Sequence, residues 1–301
     1  MSKKDILLVV GNGISISIHK NYPIANQLNP SNPLSWNFKI EQNPSIAWQD
    51  AFPKLNSYIN KMGKVDDFEI FRNIHSEEND FELEVESRHF LALAYAYYSI
   101  NTCVPHSWEW VKFLKKHSKS LLSVISFNYD LIAENALIKA GQNWNYGGYL
   151  ESHIPILKPH GSCQLEVHPM AISMGPQKYP LNNWLNLNDT PAYYLKREDY
   201  MKPRKEGLCI LPHESNKYIE FQWQEAFWDN AAEKADIIEK CIIVGLSYHP
   251  VDRLEINRII DLLKSDAVIH LCNPSHDPDL ISYIEKSGKK LILHKGMPHD
   301  F

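Results

Sequence analysis

The chain has 301 residues, 44% hydrophobic and 22% charged, a balance that supports one large α/β domain or two small ones with a real core. The formal charge is −5 at pH 7, with no basic tract longer than a few residues, so direct nucleic-acid binding by phosphate neutralisation is not expected. No apolar run approaches the roughly 18 residues of a membrane span. The start, Met1-Ser2-Lys3-Lys4-Asp5 before an apolar run, lacks the pattern of a signal peptide, so a cytoplasmic location is expected.

The first apolar run, Ile6–Val10, reads as a strand buried on both faces, rich in Ile, Leu and Val without alternation. From about 40 to 118 the pattern turns mostly helical. This insertion includes Arg88–Ile100, with Phe90, Ala94, Tyr97 and Tyr98 near one face, and closes with Ser107–Lys116. Leu122–Ser126 reads as a second buried strand, followed by a helix over Leu131–Ala140. A stretch of about 163–212, rich in Pro, Asn and Tyr and without a period, is expected to be an irregular insertion. Ile219–Ala235 reads as a helix whose Trp223, Phe227, Ala231 and Ala235 form a core face. Three strands follow, Cys241–Val244, Ala267–Leu271 and Leu291–His294, separated by helices Asp252–Leu263 and Pro278–Lys286. The alternation predicts a Rossmann-like α/β fold: a largely parallel sheet with helices on both faces, in a single domain spanning 1–301.

Five motifs stand at strand tips or loops. Gly11-Asn12-Gly13-Ile14-Ser15 follows the first strand, where glycines permit a sharp turn and a helix N-terminus favours phosphate. The third glycine of the dinucleotide fingerprint is replaced by Ile16, and a plain structural turn explains the loop about as well. Ser126-Phe127-Asn128-Tyr129-Asp130 ends the second strand, with Glu134 one helical turn later. One of Asn128 and Asp130 would suffice as a helix cap, so the cluster says more than a cap. Lys158-Pro159-His160-Gly161-Ser162 offers a histidine able to exchange a proton near neutrality. Val244-Gly245-Leu246-Ser247-Tyr248, with Asp252 shortly after, and Asn273-Pro274 end the next two strands and offer groups for a phosphate and a ribose.

In this order the motifs resemble the sirtuin family, which shows a Gly-Ala-Gly-x-Ser loop, an Asn-x-Asp strand end, a His-Gly, a Gly-Thr-Ser and a late Asn. The matching positions are Gly11, Gly13 and Ser15; Asn128 and Asp130; His160 and Gly161; Gly245 and Ser247; and Asn273. The Asn-Tyr-Asp and Lys-x-His-Gly-Ser forms look most like the bacterial NAD-hydrolysing branch associated with anti-phage defence. The resemblance implies an NAD⁺ glycohydrolase that yields nicotinamide and ADP-ribose as the toxic effector of an abortive-infection system. Its alternatives are an NAD-dependent protein deacylase and a non-catalytic NAD or ADP-ribose sensor. By resemblance Asn128 holds the nicotinamide ribose or the attacking water, and His160 sits at the ribose hydroxyls and accepts a proton. Gly11, Gly13, Ser15 and Ser247 receive phosphates, with Asn12 and Gly245 in the same two loops; Asn273 takes the adenosine ribose, and Asp130 orients its neighbours.

An enzyme that destroys cytoplasmic NAD⁺ must be held silent. Control is expected through a homo-oligomer or a separately encoded defence partner, docking where aromatics of the insertions are exposed (Trp48, Tyr95, Tyr97, Tyr98, Trp108, Trp110, Tyr193, Tyr194). Most of these aromatics are expected simply to pack the insertions onto the sheet.

Two departures weigh against deacylation. The segment after the first loop reads Tyr22-Pro23-Ile24 in place of the family's Pro-x-Phe-Arg. Deacylating sirtuins also carry a zinc module built on two CxxC pairs. Here the five cysteines, Cys103, Cys163, Cys209, Cys241 and Cys272, contain no CxxC, so neither zinc nor a disulfide framework is expected. Metal analysis of purified protein is expected to find far less than one zinc per chain; a full equivalent on which folding depends would refute that reading.

Overall fold

The computed structural model describes residues 4–22, 28–63, 65–77, 80–146, 152–167, 192–212, 228–229 and 231–298. Strands β1 (Ile6–Val10), β4 (Leu121–Ser126), β5 (Asn143–Tyr146), β6 (His153–Leu157), β10 (Lys240–Val244), β11 (Val268–Cys272) and β12 (Lys290–His294) form one seven-stranded sheet. Its order is β12-β11-β10-β1-β4-β6-β5, and every pairing is parallel. The α/β class with a parallel sheet is therefore as the sequence pattern predicts. β1 shows why its run has no polar member. Ile6, Leu8 and Val10 enter one apolar cluster with helices α1 (Asn12–Asn21), α5 (Phe81–Asn101), α6 (Glu109–Lys116) and α7 (Ile132–Lys139). Leu7 and Val9 enter another with α8 (Arg253–Leu262) and α9 (Pro278–Lys286). Helices thus cover both faces.

β5 and β6 carry no clear sequence signal. β6 contains Pro155, which cannot donate to a ladder. It is accommodated because β4 engages β6 only beyond it, at Ile156 and Leu157. β5, Asn-Trp-Asn-Tyr, lies at the sheet edge, where no strong apolar run is needed.

Within 40–118 lie α2 (Trp48–Ala51), α3 (Pro53–Met62), α4 (Asp67–Glu77), α5 and α6, after a short hairpin of β2 (Lys39–Ile40) and β3 (Ile46–Ala47). α5 is longer and more enclosed than the one-face pattern suggests. Asp80 caps it by accepting from the amides of Glu82 and Leu83, and even Glu86, Arg88 and His89 are buried. Trp48, Tyr95, Tyr98, Trp108 and Trp110 are buried too, so these aromatics pack the helical region internally; Tyr194, at 52% exposure, is the open one among the eight. An exposed aromatic dock on the helical region is thereby corrected.

The stretch expected to be irregular contains regular structure. β7 (Gly161–Val167) pairs antiparallel with β8 (Ala192–Tyr194) and β9 (Gly207–Cys209). β8 and β9, three residues each, are too short for a pattern, and both find β7 across a sequence separation that local periodicity cannot register. Of the helix expected over Ile219–Ala235, residues 219–227 and 230 lie outside the described residues, as do Pro23 and Ile24; Trp228 and Ala235 are buried.

The chain leaves β1 for β4 on one side and leaves β10 for β11 on the other, so the direction of winding reverses between β1 and β10. At their tips the two loops touch through bare backbone. Gly11 N–H donates to Val244 O (2.9 Å) and Gly13 N–H to Gly245 O (2.8 Å). A Cβ on Gly11 would stand 2.6 Å from Gly245 O, and one on Gly13 would overlap Gly245 Cα. The measured consequence should be steep: Gly13→Ala is expected to destabilise the protein by about 2–4 kcal/mol in denaturant unfolding. A loss below roughly 0.5 kcal/mol would mean that this contact is not tight.

Candidate functional site

A cavity of about 860 Å³ opens at the carboxyl ends of the parallel strands, within the roughly 300–1,000 Å³ of small-molecule and cofactor sites. This is where open α/β sheets bind ligands, beside the strands at which the winding reverses. Gly11, Asn12, Gly13, Asn128, Asp130, His160, Gly245, Ser247 and Asn273 all line it. Five motifs separated by up to 262 residues (11 to 273) thus meet in one place.

Ser15 does not line it. Its hydroxyl is fully buried behind the wall, donating to Asp130 Oδ2 at 2.8 Å and accepting from Asn128 Nδ2 at 3.2 Å. That geometry corrects its expected place among the phosphate contacts. Asn128 Nδ2 also donates to Gly11 O at 3.2 Å. The side chain is thus tethered to the glycine loop, and its carbonyl oxygen has no partner among the described residues. Asp130 accepts from Ile132 N through Oδ1 at 2.9 Å and opens α7, while Lys158 Nζ reaches its backbone carbonyl and pairs with Glu134 at 2.9 Å. Asp130 therefore starts the helix with one carboxylate oxygen and orients Ser15 beneath Asn128 with the other. Burial raises its carboxyl above the usual range.

The amides of the glycine loops are largely committed. Gly13 N–H and Ile14 N–H point at protein carbonyls, and Gly245 N–H at Cys272 O and Asn273 Oδ1 (2.7 Å). Asn273 Nδ2 donates to Leu246 O at 2.9 Å. Asn273 therefore holds the Gly245–Leu246 turn with both ends of its amide while it also lines the cavity. Ser247 is exposed on the cavity wall, and its hydroxyl has no partner among the described residues.

His160 is placed by the turn after β6. Gly161 sits at φ +79°, a conformation that favours glycine, and any Cβ there would collide with Leu208 O. The His160 carbonyl accepts from Ile210 N at 3.0 Å, and Phe127 meets its ring edge to face at 5.2 Å. Burial pushes the imidazole down to about 4, against a backbone hydrogen bond to Phe127 that raises it, so the ring is neutral at pH 7. Across the cavity, Asp252 Oδ1 lies 3.6 Å from His160 Nε2. Burial drives this carboxyl up to about 7, with Glu255 adding to the rise and Arg72 opposing it.

Asp252, Phe127, Tyr95 and Arg72 also line the cavity and were not among the sequence-assigned site residues. Asp252 did carry a signal, standing five residues after Ser247 on the same strand tip. Tyr95 and Arg72 come from α5 and α4, and only packing brings them there.

Solved structures similar to this chain include a Sir2 homologue mutant in complex with ADP-ribose (12% identity, covering 95% of this chain and 90% of that one, TM-score 0.45). A Sir2 homologue–NAD complex is similar at 14% identity, covering 98% and 85%, TM-score 0.41. A structure described as the structural basis of sirtuin substrate affinity is similar at 12% identity, covering 98% and 89%, TM-score 0.42. No protein-family model matches the sequence, and no curated protein matches it.

Asp252 gives a stability test. Its folded-state pKa is raised to about 7 from an ordinary 3.8. The protonated carboxyl is therefore accommodated at low pH, and stability is lost as pH climbs from the ordinary value through the raised one. Asp252→Asn should leave stability nearly unchanged at pH 4 and raise it by about 2–4 kcal/mol at pH 8, since each tenfold change in an ionisation equilibrium is worth roughly 1.4 kcal/mol. A difference that does not change between those pH values would contradict the buried, poorly solvated carboxyl.

Proposed function

We propose that the chain binds NAD⁺ in the 860 Å³ cavity and hydrolyses it to nicotinamide and ADP-ribose. The observation that carries this reading is the convergence of Asn128 and a neutral His160 on one wall of a cavity at the strand tips where the winding reverses. Cleavage breaks the bond between C1′ of the ribose and the pyridinium nitrogen. The electron pair leaves with nicotinamide, a water oxygen bonds to C1′, and one proton is released. Nicotinamide is a good leaving group, so the protein mainly has to orient ribose and water and accept that proton. Asn128, pinned through its amide nitrogen, presents a rigid carbonyl to a ribose hydroxyl or the water. The neutral imidazole of His160 sits at the ribose hydroxyls, where it can pass on a proton, and the Ser247 hydroxyl faces the phosphates. Asp130, Ser15 and Asn273 act by holding these groups in place. No step calls on a metal ion, and we read the protein as zinc-independent. We further read the activity as the effector of an anti-phage defence system, silent until self-assembly or a separately encoded partner releases it.

Incubation of the protein with NAD⁺, alone and in its activated assembly, should give nicotinamide and ADP-ribose in equal amounts. Asn128→Ala and His160→Ala should each lower turnover by about 100-fold or more while thermal unfolding stays cooperative. Tight NAD⁺ binding without turnover under every condition would point instead to a sensor, and full turnover by His160→Ala would remove His160 from the chemistry.

A further inference from the structure

Asp252 belongs to the cavity and stands shortly after the Gly245–Ser247 motif, but it is not among the positions matched to the resemblance. It is the last residue of the short 3₁₀ turn Pro250–Asp252, which follows His249, and it immediately precedes α8. Its side chain is only 15% exposed. Among the described residues no backbone amide or hydroxyl donates to its carboxylate. A buried carboxylate that could have been capped at a helix start is instead left facing the cavity and Nε2 of His160. The 3.6 Å between Oδ1 and Nε2 is too long for a direct hydrogen bond. Oδ1 and Nε2 nevertheless stand side by side, with both residues on the cavity wall.

We propose that Asp252 and His160 form the proton-accepting pair of the site: the attacking water or ribose hydroxyl meets the Asp252 carboxylate, His160 stands beside it, and Asp252 holds the released proton. The proposal rests on the NAD⁺-cleaving reading and assigns it a base. His160 alone is a poor one, because burial holds it down to about 4, far from neutral pH. Asp252, raised to about 7, is matched to neutral pH. Burial sets most of that value, and the charged neighbours adjust it. Glu255 on the same helix disfavours ionisation and Arg72 from α4 favours it; His160 faces it across the cavity, and His249 precedes it on the turn. As water adds to C1′, its O–H bond breaks toward the pair, the proton passes to the Asp252 carboxylate, and bulk water removes it after product leaves. A protonated Asp252 blocks the step.

Two measurements separate this proposal from the reading beneath it. In the ligand-free protein, the ring C–H resonances of His160 should move through a step near pH 7 as Asp252 ionises, and the step should vanish in Asp252→Asn. In NAD⁺ turnover, kcat of the wild type should fall about tenfold per pH unit below about 7. Asp252→Asn should lose about 100-fold and become independent of pH between roughly 6 and 8, while Asp252→Glu recovers part of the rate and the pH dependence. A wild type that cleaves NAD⁺ with Asp252→Asn unchanged in rate and profile overturns the pair, as does a His160 resonance with no step near neutral pH. A wild type that cleaves no NAD⁺ but shows the step overturns the proposed function and leaves the pair standing.

Discussion

Gly13 and Gly245 meet backbone to backbone, and the working end of the molecule is built around that contact. With no side chain on either, the tips of β1 and β10 approach closely enough for Gly13 N–H to bond Gly245 O. The strands then part, one sending the chain toward β4 and the other toward β11, and the cavity opens between the diverging loops. The contact also has a chemical consequence. Amides that a glycine loop would otherwise offer to a pyrophosphate are spent on the protein itself. Polar atoms with spare capacity, such as the Asn128 carbonyl and the Ser247 hydroxyl, are left to face a ligand.

Beneath the cavity runs a continuous polar chain: Gly11 O to Asn128, Asn128 to Ser15, Ser15 to Asp130, and Asp130 to the first turn of α7. Alongside it, Lys158 lies between Glu134 and the Asp130 carbonyl, and the Tyr146 hydroxyl donates to Glu134 at 2.8 Å. Buried groups of this kind are expensive when unpaired and stiff when satisfied. The network thus fixes Asn128 in one orientation without touching any ligand. Asp252 is the contrast. Among the described residues its carboxylate has no comparable set of donors, and burial raises its pKa to about 7.

His160 depends on a second support, remote in sequence. Gly161 passes over Leu208 so closely that only glycine fits, and Tyr129 donates to Ile210 O while Ile210 N donates to His160 O. The three-stranded sheet that carries β9 is tied to α5 through Glu206, which lies 3.3 Å from Arg88 and 3.5 Å from His89. The Ser99 hydroxyl of the same helix accepts from Leu131 N, and Tyr98 reaches Ser15 O. α5 therefore braces the His160 loop and the Asn128 strand end together, which accounts for its burial nearly all round.

The five strands that read as mostly apolar runs were legible in the sequence because β1, β4, β10 and β11 are largely buried and leave little place for a polar residue, with Ser123 and His270 among the exceptions and β12 partly exposed at the sheet edge. Ile6–Val10 and Pro278–Lys286 have the boundaries that their patterns predict. The positions of Gly11, Asn128, Gly245 and Asn273 at loop or strand ends were legible for the same reason, since each follows such a run. What each of them bonds to was decided only by the tertiary structure. Ser15 looks like a ligand contact in a motif, yet a hydroxyl bonds whichever partner folding brings within about 3 Å, and here those partners are Asp130 and Asn128. The approach of Asp252 to His160, 92 positions apart (252 − 160), and the arrival of Tyr95 and Arg72 at the same cavity leave no trace in any local pattern. They follow from how the helices pack on the sheet, and periodicity along a chain records which face of an element is buried but not which residue waits on the other side.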